Sequence, residues 1–147
     1  MATLIIGVMA SLAMPALKRT IISTRASAVA NDLRTFAAAF QSYEQQNGRY
    51  PPEAGIGVLP PLMSGHLDQS AWLGVTPIGG RYNWEYNRTT GGVRYRAAIG
   101  IRTQRTARVT TDRALLLAVD RLIDNGDLSS GNFFLGVGNE PFLVIER

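Results

Sequence analysis

Apolar residues follow three regimes along this chain. Residues 1–17, MATLIIGVMASLAMPAL, carry no charge. Beyond them Ile22, Ala26, Val29, Leu33, Phe36, Phe40 and Tyr43 recur at alternating steps of 4 and 3, which places them on one side of a helix. Arg25, Asn31, Asp32, Arg34, Thr35, Gln41, Ser42 and Glu44 form its polar side. No glycine or proline interrupts residues 16–47, and Asn47, Gly48 and Pro51–Pro52 then supply a stop. If Pro15 only bends the chain, one helix of over forty residues results, about 70 Å long against a globular mean of roughly 11 residues. Such a helix must bury part of its length in something other than its own domain.

The third regime is shorter in period. Residues 53–80 are rich in glycine and proline and read as a long connection with one short helix near Gly65 to Leu73. Tyr82, Trp84 and Tyr86 then alternate with polar residues, and Gly91–Gly92 turns the chain into Val93, Tyr95, Ala97, Ile99 and Ile101. This predicts a hairpin with one aromatic and aliphatic face, suited to covering the helix at Val29, Leu33, Phe36, Phe40 and Tyr43, with Arg94, Arg96 and Arg102 on the opposite face. A second helix starts at a Thr111 or Asp112 cap, carries Leu115, Leu116, Val119, Leu122 and Ile123, and ends at Gly126. Phe133 to Val137 and Phe142 to Ile145, joined by Gly138–Asn139, read as closing strands. The expected class is α+β: a long amphipathic and hydrophobic N-terminal helix packed on a small, mainly antiparallel sheet with a second short helix. Residues 1–17 form the hydrophobic segment, and residues 18–147 form one globular domain that includes the amphipathic half of the helix, about 18–47.

Charge changes the picture in one place. Eight arginines lie within residues 81–113 against Glu85 and Asp112, whereas residues 114–147 hold five acids against Arg121 and Arg147. The two stretches are matched for pairing within the fold or between subunits. The absence of cysteine excludes disulfides, thiolate catalysis and cysteine-ligated zinc.

Catalytic patterns are missing, and the chain does not read as an enzyme. His66 is the single histidine, sits in a loop bounded by prolines and has no partner at metal-motif spacing. The glycine pairs Gly55/Gly57 and Gly136/Gly138 meet Pro60 and Pro141 where a dinucleotide fingerprint needs its third glycine. Asp124, Asn125 and Asp127, with Asp120, form the one oxygen-rich cluster, readable as a calcium site or as an ordinary helix stop. Arginines among Tyr82, Trp84, Tyr86 and Tyr95 allow a DNA-binding or polyanion face at Arg94, Arg96 and Arg102, although alternation favours inward aromatics and outward arginines.

The apolar start admits a cleaved signal, a short membrane span, or a span whose beginning is missing. No basic residue precedes it, which disfavours the first, and seventeen residues rise only about 25 Å against a hydrocarbon core near 30 Å. The segment LIIGVMASLAMPAL, its polar helical continuation and YEQQNGRYPP together resemble the type IV pilin and type II secretion pseudopilin family, and the helix exit is similar to the major pseudopilin branch. TPIGGRYNWEY and IDNGDLSSG are similar to that branch less specifically. Gly7 and Pro15 match the family's glycine and proline spacing, so Met1 falls inside the family's mature helix, and its leader, cleavage site, methylated first residue and nearby glutamate have no counterpart.

The resemblance implies a pilin-like fold and a structural subunit, not an enzyme. Leu4, Ile5, Ile6, Gly7, Val8, Leu12, Pro15 and Leu17 would lie first in the bacterial inner membrane, with the domain outside the cytoplasm, and then in the core of a periplasmic pseudopilus or surface pilus. Lys18 and Arg19 alone would favour the reverse topology. Implied partners are copies of the chain, related minor pilins and an assembly platform. No cofactor is implied beyond calcium, which some pseudopilins bind near their C-terminus, here at Asp124 and Asp127. The alternative is a membrane-anchored binding module that uses the basic face.

Overall fold

A computed structural model of the chain describes residues 2–147, and for residues 2–10 and 12 it describes the backbone alone. Helix α1 spans Ala2–Asn47 and runs through Pro15, which has no N–H to give to the preceding turn. It stops at Gly48, whose φ of +71° turns the chain left-handed while its N–H donates to the Glu44 carbonyl at 2.7 Å. The remaining elements are α2 (Gln69–Leu73), β1 (Arg81–Thr90), β2 (Val93–Arg102), α3 (Arg113–Ile123), β3 (Phe133–Leu135) and β4 (Pro141–Glu146). The four strands form one antiparallel sheet in the order β1-β2-β4-β3. The molecule is thus α+β, a long N-terminal helix with a four-stranded antiparallel sheet and short helices.

The helical stripe and the sheet make the core. Ala26, Val29, Leu33, Phe36, Phe40 and Tyr43 are buried against Tyr82, Trp84, Ala97, Ile99 and Ile101, and α3 adds Leu115, Leu116 and Val119. Phe40 stacks face to face on Trp84, with centroids 3.7 Å apart and planes 6° from parallel, and Phe36 meets Tyr82 edge-on at 4.9 Å. Three of the large amphipathic rings also find polar partners. Trp84 Nε1 donates to the Pro51 carbonyl at 3.0 Å, Trp72 Nε1 to the Val58 carbonyl at 2.9 Å, and Tyr82 OH to Asp32 Oδ2 at 2.8 Å.

Two features depart from the sequence reading. The connection before β1 is more than a surface loop: Met63, Leu67, Trp72 and Ile78 are buried core residues. Asp68 caps α2 by accepting from the Ser70 and Ala71 N–H groups, which positions Trp72 beneath Phe36 and Phe40. The hairpin also has two apolar faces. Tyr95 and Val93 do not share the face of Ala97, Ile99 and Ile101; they join Ala98, Phe134, Phe142 and Val144 in a second cluster across the sheet. Asn87, at φ +54°, breaks the alternation of β1 where it faces Arg96, and the β2–β4 register shifts between Ala97 and Ala98. Gly100 completes this outer cluster, because a Cβ there would lie 2.7 Å from the Phe142 ring.

Phe40→Ala removes the ring stacked on Trp84 and should lower unfolding free energy by about 3–5 kcal/mol, measured by urea denaturation. Gly100→Ala should cost about 1–3 kcal/mol by overpacking against Phe142. An unchanged urea midpoint for either variant would contradict this account of the two faces.

Candidate assembly surface

The domain covers α1 only from Ile22 onward. Upstream, Met14, Leu17 and Ile21 are 76%, 62% and 46% exposed on a helix that continues past the globular body. They line a shallow apolar groove of about 430 Å³ with Lys18, Ile22 and Arg25 on one wall and Thr110, Asp112 and Leu115 on the other. Asp112 is committed to its own element, since its carboxylate accepts the Ala114 N–H and caps α3. The groove is therefore apolar at its floor and presents aliphatic side chains to solvent with no internal partner among the described residues.

Of the residues expected in a membrane or filament core, Leu4, Ile5, Ile6, Gly7, Val8 and Leu12 lie outside the described side chains. Pro15 and Leu17 are exposed. Among the described residues, no helix is long and apolar enough to cross a membrane. Val29, Leu33, Phe36, Phe40 and Tyr43 are all buried between α1 and the sheet.

The acidic segment after α3 has the geometry of a helix stop. Gly126 takes φ +77°, and Asp124 Oδ2 accepts from the Asn132 and Phe133 N–H groups. The Asp127 carboxylate accepts from Ser129 N–H and from the Ser129 and Ser130 hydroxyls, which hold it below the usual carboxylate range. Asn125 Oδ1 accepts the Asp127 N–H. Among the described residues no three acidic or imidazole side chains converge to hold a metal, and Asp124 and Asp127 are engaged with N–H and hydroxyl donors of the turn. Asp124 Oδ2 and both Asp127 oxygens accept the hydrogen bonds that close the turn.

Asp120 is different. It is fully buried on α3, and neither carboxylate oxygen has a hydrogen-bond partner of normal geometry. Burial pushes its carboxyl above the ordinary range, the Asp124 and Asp127 charges push the same way, and the nearby Gly126 N–H offsets a part.

Arg94, Arg96 and Arg102 do not make one basic face. Arg102 lies over Phe142 in the outer cluster and pairs with Glu85 at 3.2 Å and Glu140 at 2.7 Å. Arg96 lies over Tyr50 beside the main core, 2.6 Å from Glu146 and 4.0 Å from Glu44. Arg94 donates to Asn87 Oδ1 at 3.2 Å. The break at Asn87 separates them, and two of the three are neutralised by carboxylates, as the charge asymmetry of the sequence anticipated for residues 81–113 and 114–147.

Sequence reasoning missed the group around Glu85. This carboxylate is buried on the outer face and accepts from Asn83 Nδ2 at 2.9 Å, Arg102 and Tyr95 OH. Burial, then the bond to Glu85, raises the Tyr95 hydroxyl well above its ordinary value. A single acid between Trp84 and Tyr86 gave no signal, because Tyr95 and Arg102 reach it from β2. Comparison with family models returns no match, and comparison with curated proteins returns none either.

Since the folded state holds the Asp120 proton to higher pH than the unfolded chain does, stability should fall as pH rises from the ordinary aspartate value of 3.8 through the raised folded value. Asp120→Asn should remove that slope and raise unfolding free energy at neutral pH by about 1–3 kcal/mol, read from urea melts at several pH values. A variant less stable than the parent at pH 7 would show that the charge is compensated.

Proposed function

We propose that the chain is the structural subunit of a helical filament, of the type IV pilin or type II secretion pseudopilin kind, with a pilin-like fold and no catalytic role. The observation that carries this reading is the unpartnered apolar side of α1 at Met14, Leu17 and Ile21, continuous with the uncharged sequence from Leu4 onward. Transferring about ten such side chains from water is worth about 1.5–3 kcal/mol each, so the isolated chain is driven into either a bilayer or a bundle of its own kind. Lipid already shields these groups. The preference for the filament over the membrane must therefore come from close packing between helices and from charge pairing between domains. The globular body supplies the rigid mount: the Phe36, Phe40 and Trp84 contacts fix the direction in which the apolar end projects.

The sequence resemblance over residues 4–52 supports the same reading and sets the localisation we infer: inner membrane first, with the domain outside the cytoplasm, then a filament with copies of the chain and related minor subunits. The alternative, a basic face for DNA, loses support from the ion pairs of Arg96 and Arg102.

Deleting residues 1–18 should yield a soluble monomer by sedimentation, whereas the full chain is recovered in membranes or as polymer. Filaments formed by the deleted chain, seen by electron microscopy, would overturn the role given to the helix.

A further inference from the structure

The loop between β2 and α3 stands beside the point where α1 leaves the domain. Thr110 lines the apolar groove with Leu17 and Lys18, and it also lines a second cleft with Arg105 and Arg108. The loop is held in place. Gln104 and Ala107 exchange backbone hydrogen bonds of 2.8 and 3.1 Å across the Arg105–Thr106 tip, and the Thr110 N–H donates to the Ile78 carbonyl at 2.8 Å. Arg105 and Arg108 are exposed, as are Lys18 and Arg25 on the facing wall of the groove. None of these four cations has an ion pair among the described residues. Arg88, Arg96 and Arg102 are each matched by a carboxylate; other arginines such as Arg49 and Arg94 also have no ion pair among the described residues, so these four cations are grouped by their place beside the exit of α1. Asp112 is the acid among them, and it caps α3.

We propose that Lys18, Arg25, Arg105 and Arg108 form a basic rim that rests on the anionic headgroups of the bilayer while residues 4–17 are anchored there. This rests on the anchoring role given above to the apolar segment. Lys18 follows Leu17 directly, so it stands where the apolar run ends, and its long stem can carry the ammonium to the headgroup level. The loop borders the same stretch of α1 through Thr110, so Arg105 and Arg108 are carried beside the exit of the apolar segment, and charge there acts on headgroups over a Debye length of about 8–10 Å. A cation near an anionic membrane surface gains enough that each should shift close apposition about five-fold. The unpaired charges of the rim thus tilt and hold the domain against the membrane, and they are set free when the helix passes into a filament.

The chain has no cysteine, so single probes are clean. Full-length chain carrying Thr106→Cys with a fluorophore would be reconstituted into vesicles of phosphatidylcholine alone or with phosphatidylglycerol, with a headgroup quencher, and Gln45→Cys as the distant reference. Quenching at residue 106 should be several-fold greater in the anionic vesicles, fall with salt and be lost in Arg105→Glu/Arg108→Glu, with residue 45 unchanged. Equal quenching in the two vesicle types, for chain that resists a carbonate wash, overturns the basic rim and leaves the anchor standing. Chain stripped by carbonate from both vesicle types overturns the anchor, and the rim with it.

Discussion

The stack of Phe40 on Trp84 joins the two halves of this molecule. It lies where the helical stripe and the sheet's inner face meet, flanked by Phe36, Trp72, Tyr82 and Tyr50. Aromatic rings bury large areas in few rotamers, so the contact sets not only stability but also the angle at which α1 crosses the sheet. Everything upstream inherits that angle, because a continuous helix transmits direction along its length. The exposed residues Met14, Leu17 and Ile21 are thus placed by contacts made several turns away.

The sheet's outer face solves a separate problem. A sheet with one face on a helix usually turns a polar face to water, yet here Tyr95, Ala98, Phe134, Phe142 and Val144 form a second apolar cluster. Beside it Glu85 is buried among Asn83, Tyr95 and Arg102. Buried charge is tolerated where its bonds are satisfied, and Glu85 meets that condition while Asp120 does not. The two acids mark opposite outcomes of the same desolvation cost. One is bound into a network of rings and a guanidinium; the other sits on the inner side of α3 above a turn whose carboxylates are already spent.

Charge is distributed by the same logic. Within the sheet Arg88, Arg96 and Arg102 are matched to Glu53, Glu44, Glu146, Glu85 and Glu140, whereas Arg81 and Arg94 donate to uncharged oxygens, and among the described residues the cations near the exit of α1 have no ion pair. Exposed cations and the exposed apolar side chains Met14, Leu17 and Ile21 lie side by side where α1 leaves the domain.

Much of the architecture was legible in the residues. The steps of 4 and 3 from Ile22 to Tyr43, the Gly91–Gly92 turn, the Asp112 cap and the closing strands follow from local periodicity and turn chemistry, which neighbours in sequence decide. What the tertiary structure alone decided depends on groups distant in sequence. Trp72 enters the core from a connection without periodicity, Tyr95 lies on the face opposite Ala97, and Arg96 and Arg102 find carboxylates from four different elements or loops. The hydrogen bonds of Asp124 and Asp127 belong here too, since backbone N–H groups from residues 129, 132 and 133 reach those oxygens only once the turn is folded. Local pattern specifies which elements form; burial and pairing across the core specify which side chains remain free to act.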